Sequence, residues 1–299
     1  MKAILPEPVG RGARVHVVAA AGPVEPSGLD AGLRMLAERG FDVHTAANLR
    51  ARDGYLAGPD AARLAGVQAA FDDPEARVLW AARGGYGTTR ILDRLQLDRL
   101  ARKPLWVVGC SDATALLLEL WVRYRAVSIH GPMVARLADT AAEDVEDLFA
   151  LLGGARPRSR EDLEPVAPGT ARGPLLGGNL FVLAHLLGAA RSDFASGAIL
   201  FLEDVGERPY RLDRCLTQLA RAGVLSSVAG VVVGDFSACD PGPDGVTAMD
   251  VIRDRLGALG VPVASGYPAA HGFRNAPFLH GAKIELDVSP QGARLVSLL

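Results

Sequence analysis

Between Arg14 and Val134 the chain alternates short apolar runs with stretches of helical periodicity, and few folds accept that rhythm. The runs Val15–Ala20, Arg77–Ala82 and Leu105–Gly109 lack polar alternation, as strands covered on both faces do. Helices are expected between them at Gly28–Arg39, Asp60–Phe71, Thr88–Leu95 and Ala113–Arg123, with a short strand at Phe41–His44. Strand and helix in turn specify an α/β fold, a doubly wound and mostly parallel sheet with helices on both faces. After a helix expected near Glu143–Leu152, Gly153–Pro174 is dense in Gly, Pro, Arg and acids and reads as an exposed linker. The second half is mixed and more strand-rich. Strands are expected at Ala198–Glu203, Val228–Gly234, Val261–Tyr267 and Ala282–Val288, with helices at Leu212–Ala222 and Ala248–Leu259. The expected organisation is an α/β domain over residues 1–152, a linker over 153–174 and a β-rich domain over 175–299.

With 299 residues, two cores are within reach. A net charge of −2 with 22% charged residues gives no electrostatic footprint for nucleic acid or anionic membrane, which points to a small molecule or peptide as partner. Cys110, Cys215 and Cys239 are odd in number and widely spaced, a pattern that suits a reducing compartment and offers no zinc site. The first apolar run, Val15–Ala21, is too short for a signal peptide or a membrane span, so a cytoplasmic location is expected.

The chemistry centres on Gly109-Cys110-Ser111-Asp112-Ala113-Thr114, where an apolar strand turns abruptly into a helix. A serine at such a turn is exposed beside the first free helix N–H groups, which suits a nucleophile in acyl transfer. Alternatively Ser111 caps the helix and Asp112 complements its dipole. A hydrolytic serine needs a base, a group that orients the base, and donors for the oxyanion. His16 and His44 fall in expected strands and His185 in a helix, where a packed or surface imidazole is the plainer reading. Of His130, His271 and His280, His271 is best placed, in a small-residue loop just past a strand's carboxyl end. Glu203 closes the apolar strand and is either the orienting carboxylate, a solvated strand-end acid, or a partner for Arg208, Arg211 or Arg214. Asp204 and Glu207 compete for the role. Arg83-Gly84-Gly85-Tyr86-Gly87 fits neither nucleotide-binding glycine pattern and suits an oxyanion donor better.

These residues occur within an ordered series: Tyr55-Leu56-Ala57-Gly58 followed by Arg63, Arg83-Gly84-Gly85-Tyr86-Gly87 with Arg90-Ile91-Leu92, the Ser111 motif, His130-Gly131-Pro132-Met133, Gly177-Gly178-Asn179-Leu180, Leu202-Glu203-Asp204 with Glu207, and Asp213-Arg214. In this the chain resembles the LD-carboxypeptidase family of serine peptidases, which also includes microcin C self-immunity peptidases. The resemblance implies Ser111 as nucleophile, His271 as general base and Glu203 as its orienting residue, with the backbone N–H groups of Gly85 and Asp112 as oxyanion donors. It also implies a flavodoxin-like N-terminal domain bearing the serine, a β-rich C-terminal domain bearing Glu203 and His271, no metal or organic cofactor, and a homodimer. Two positions depart from the family pattern. Ala270 stands where a glycine is usual before the histidine, and Leu279 where a proline is usual. His280 occupies a position that tends to be apolar.

The function implied is release of the terminal D-alanine from murein tetrapeptides in cell-wall recycling. A microcin-C-like peptidyl or aminoacyl nucleotide is the rival substrate, and would need an aromatic stacking partner. The third reading is a non-catalytic muropeptide-binding module, against which Ser111, His271 and Glu203 all stand.

Overall fold

The computed structural model describes residues 3–188, 193–269 and 271–299. It divides into two compact units. The first ends at Ala155 and also takes in Ala276–Leu279, and the second comprises Arg156–Asn275 and His280–Leu299.

In the first unit the strands are β1 (Arg14–Val18), β2 (Asp42–Thr45), β3 (Ala76–Ala81), β4 (Trp106–Gly109) and β5 (Ser128–His130). The helices are α1 (Pro26–Glu38), α2 (Asp60–Asp72), α3 (Thr114–Tyr124) and α4 (Ala142–Leu152). The sheet runs β5-β4-β3-β1-β2 with these neighbours parallel, and the late strand Phe278–His280, β11 in chain order, lies on the β5 edge. Buried runs such as Trp106-Val107-Val108-Gly109 on β4 explain the missing polar alternation, because both sheet faces are covered. The α/β alternation read from the sequence is therefore present.

One helix expected here is not. Thr88–Leu95 forms two 3₁₀ turns, Thr88–Arg90 and Leu92–Arg94, closed by bonds from the N–H of Ile91 to the carbonyl of Thr88 and from Leu95 to Leu92. The Thr88 N–H donates to the Asp112 carboxylate at 2.8 Å, and Gly87 before it has φ +138°.

The second unit contains β6 (Arg160–Ala167), β7 (Gly169–Asn179), β8 (Ile199–Val205), β9 (Gly230–Ser237), β10 (Val263–Ser265), β12 (Lys283–Ser289) and β13 (Gly292–Ser297). They close into a barrel in the order β10-β6-β13-β12-β7-β8-β9. The run β7-β8-β9-β10 is parallel and the remaining pairs are antiparallel. Helices α5 (Leu180–Leu186), α6 (Pro209–Arg221) and α7 (Ala248–Gly257) follow β7, β8 and β9. On α6, Leu212, Cys215, Leu216 and Leu219 form a buried stripe at helical spacing.

The expected linker is a correction. Most of 153–174 is strand, namely β6 and the first half of β7. On β6 the buried positions are Arg160, Leu163 and Ala167, so polar residues fill both sides and no two-residue period shows. Pro165 is accommodated where the pairing of β6 with β10 shifts register.

Candidate active site

Ser111 lies between β4 and α3 with φ +58°, one of three non-glycine residues in the left-handed region among the described residues. Cys110 before it is fully extended, at φ −146° and ψ −170°, and Ser111–Ala113 then makes a 3₁₀ turn into the helix. A left-handed serine costs about 1–3 kcal/mol, and such strain collects at functional sites. The turn is held from below by Ala81, Cys110, Ala113 and Met133, which form a buried apolar cluster. The capping alternative fails, since neither the 3₁₀ turn nor α3 has a side-chain cap.

The glycine loop after β3 lies against this serine. A Cβ built on Gly84 would stand 2.7 Å from both Cβ and Oγ of Ser111 and 3.5 Å from the Asp112 nitrogen. Gly85 follows in a left-handed conformation at φ +111°, and the Gly84 carbonyl accepts the Gly22 N–H at 3.0 Å. Gly85 and Asp112, the two expected donors, thus belong to adjoining segments of one unit. Asp112 does not simply face the α3 dipole. Its buried carboxylate is pushed above its ordinary pKa by desolvation, opposed by the Thr88 and Gly87 donors and by the charge of Arg63.

Arg63 is the residue that sequence reasoning quoted only as part of a motif. It is 0% exposed and falls on the buried stripe of α2 with Gly66, Val67, Ala70 and Phe71. Its guanidinium donates to the carbonyls of Gly58 (3.2 Å), Gly87 (2.7 Å) and Ala20 and to the Asp60 carboxylate. An arginine at i of an i, i+3, i+4, i+7, i+8 apolar stripe is the signal that marks it in the sequence.

In the second unit, His271 Nδ1 lies 3.0 Å from Glu203 Oε2, with the histidine side chain 18% exposed and the glutamate fully buried. Burial excludes the solvated-acid reading of Glu203. The arginines bond elsewhere: Arg208 to the carbonyls of Asp240 and Pro241, Arg211 to Glu207, and Arg214 over the Tyr210 ring. Asp204 is engaged by Asn179 Nδ2 (2.9 Å) and by the N–H groups of Phe181 (2.9 Å) and Val205 (2.8 Å). Burial first, and then Glu203, raise the Asp204 pKa to about 6. Asn179 also caps α5 by accepting the Val182 N–H, so β7, β8 and α5 are tied together next to Glu203.

The other histidines are placed differently. His16 stacks on His44 and bonds Asp73 at 2.7 Å, and His130 is buried with its ring 4.7 Å from that of Phe278. Of the unusual positions, Leu279 and His280 are buried in β11, whereas Ala270 lies outside the described residues.

A strained serine at a strand-to-helix turn, in one unit, and an imidazole on a buried carboxylate, in the other, are each kinds of feature that serine hydrolases use. Residues 15–131 match the model of the LD-carboxypeptidase N-terminal domain and residues 172–286 that of the LD-carboxypeptidase C-terminal domain. The murein tetrapeptide carboxypeptidase of Pseudomonas aeruginosa is 33% identical over 92% of this chain and 93% of its own. The crystal structure of muramoyltetrapeptide carboxypeptidase from Oxalobacter formigenes matches with a TM-score of 0.83 at 28% identity, over 94% of this chain and 97% of the other. The wild-type, ligand-free microcin C7 self-immunity protein gives a TM-score of 0.87 over 99% of both chains at 18% identity, a likeness of fold. The chain belongs to the LD-carboxypeptidase family.

Proposed function

We propose that this chain is a serine LD-carboxypeptidase that removes the terminal D-alanine from murein tetrapeptides during cell-wall recycling. The observation that carries the reading is the left-handed Ser111 with Gly84 pressed against its side chain. Relatives named for murein tetrapeptides support the substrate. In the scheme, His271 takes the Ser111 proton as Oγ attacks the carbonyl between the L-centre of the diamino acid and D-alanine. Glu203 accepts from Nδ1, fixes the tautomer and stabilises the imidazolium. The N–H groups of Gly85 and Asp112 receive the negative oxygen of the tetrahedral intermediate. Its collapse leaves an ester on Ser111 while His271 protonates the departing amine. Water, deprotonated by His271, then releases the tripeptide. The scheme uses neither metal nor organic cofactor, and its full form is a cytoplasmic homodimer whose nucleophile-bearing unit is flavodoxin-like.

The test is chromatographic detection of D-alanine released from L-Ala-γ-D-Glu-meso-diaminopimelate-D-Ala, with EDTA present throughout. The wild type is expected to release it and Ser111→Ala to be slower by about 10⁴-fold or more. Release that survives in the variant, or that EDTA abolishes in the wild type, would remove the proposal. One observation favours a second substrate. Tyr55 and Tyr86, the latter next to Gly85, are exposed with ring centroids 6.1 Å apart and offer a surface on which a nucleobase stacks. Cleavage of a peptidyl nucleotide in place of the tetrapeptide would select that reading. Full biological effect from Ser111→Ala would select the binding module.

A further inference from the structure

The peptide that joins Gly87 to Thr88 is gripped at both ends by buried side chains. Its carbonyl accepts from Arg63 Nη1 at 2.7 Å, and its N–H donates to Asp112 Oδ2 at 2.8 Å. Gly87 has φ +138°, and a Cβ there would fall 2.6 Å from Arg63 Nη1, so the loop lies directly on the guanidinium. At its other end the loop is fixed where the Gly84 carbonyl accepts from Gly22. Gly85 and Tyr86 are thus strung between two anchors. The same guanidinium holds the carbonyl of Ala20, beyond the end of β1, and that of Gly58. Burying a cation in an otherwise apolar helix stripe is costly, and a core built only for packing does better with an aliphatic residue. A planar fork that serves several carbonyls at once is what arginine supplies and lysine does not.

We infer that Arg63 and Asp112 are positioning residues for the reaction: their side chains clamp the 87–88 peptide and so set the spacing between the backbone donors of Gly85 and Asp112. Asp112 then has two tasks, its amide as one donor and its carboxylate as the restraint on the loop that carries the other. The inference rests on the assignment of those donors in the proposed mechanism.

The test uses the full chain and two readouts, D-alanine release from the tetrapeptide and the rate at which a fluorophosphonate labels Ser111. Labelling requires the serine and its donors but no murein recognition. Arg63→Lys is expected to lower kcat and the labelling rate together by about 10²-fold, with KM within about threefold of wild type. A purely structural role would instead lower the fraction of folded protein, read by circular dichroism, and leave the labelling rate of the folded fraction unchanged. Labelling within about twofold of wild type in folded Arg63→Lys would overturn the inference. Should Arg63→Lys not fold, Asp112→Asn keeps its amide and is expected to label about tenfold more slowly, and wild-type labelling would be the contrary result. A wild type that labels but releases no D-alanine, with Arg63→Lys labelling slowly, would refute the murein substrate and support the clamp.

Discussion

Gly84 leaves no room for a side chain beside Ser111, and the Gly22 bond to its carbonyl keeps the loop from backing away. Gly84→Ala is therefore expected to displace the hydroxyl rather than the loop. Misplacing a nucleophile by about 1 Å costs about 10²-fold in kcat, whereas overpacking of this kind costs about 1–3 kcal/mol of stability. Kinetics and a thermal melt on one preparation separate the two effects, and full activity would show that the contact is dispensable. His280 makes the opposite case, a residue whose consequence lies in stability. It is fully buried, and neither ring nitrogen has a hydrogen-bond partner among the described residues. Burial pushes its pKa down to about 3 from 6.5. The unfolded chain binds a proton below 6.5 while the folded chain does not, so stability is full above that pH and falls as pH drops towards 3. The slope from this group is up to about 1.4 kcal/mol per pH unit. His280→Leu should remove it. Melts at pH 8 and pH 5 are expected to show a smaller loss of Tm in the variant, and equal losses would reject the assignment.

At the scale of elements, much was legible where one physical signal dominated. A buried parallel strand such as β4 announces itself as an unbroken apolar run, and α1, α2 and α3 lie within two residues of their expected ends. The serine turn was legible because a strand ended and a helix began on either side of one residue. What failed was whatever depended on distant partners. β6 and β7 carry Pro165, Pro174 and several glycines, and their strand character comes from pairing with β10, β12 and β13, which lie roughly a hundred residues away in the chain. Barrel closure was illegible for the same reason, since no local pattern records that β6 meets β10 and β13 or that β7 meets β12. Thr88–Leu95 has the apolar spacing of a helix, and no local signal separates two 3₁₀ turns from one helical stretch. The burial of Arg63 is legible from its place on the apolar stripe of α2, whereas that of His280 depends on surroundings the sequence does not mark. Position alone left Glu203 competing with Asp204 and Glu207, and its pairing with His271 came from the family resemblance, so the 3.0 Å bond between them was not legible from spacing.

The whole molecule is not divisible by one cut. The first unit needs Ala276–Leu279, which the chain delivers only after running through most of the barrel. Residues 1–155 alone would lack β11, leaving the buried β5 with an unpaired edge and His130 without the Phe278 ring. This fragment is expected to aggregate or to melt well below the full chain, measured by sedimentation and circular dichroism. A cooperative melt at the full chain's Tm would show that β11 is dispensable. The same threading has a consequence for biosynthesis. The barrel remains open between β6 and β12 until Gly292–Ser297 has been made. Many proteins finish their first domain on the ribosome while the rest is still being translated. Here the first unit waits for β11 and the barrel for β13, so each keeps an open strand edge until a segment far along the chain has been made.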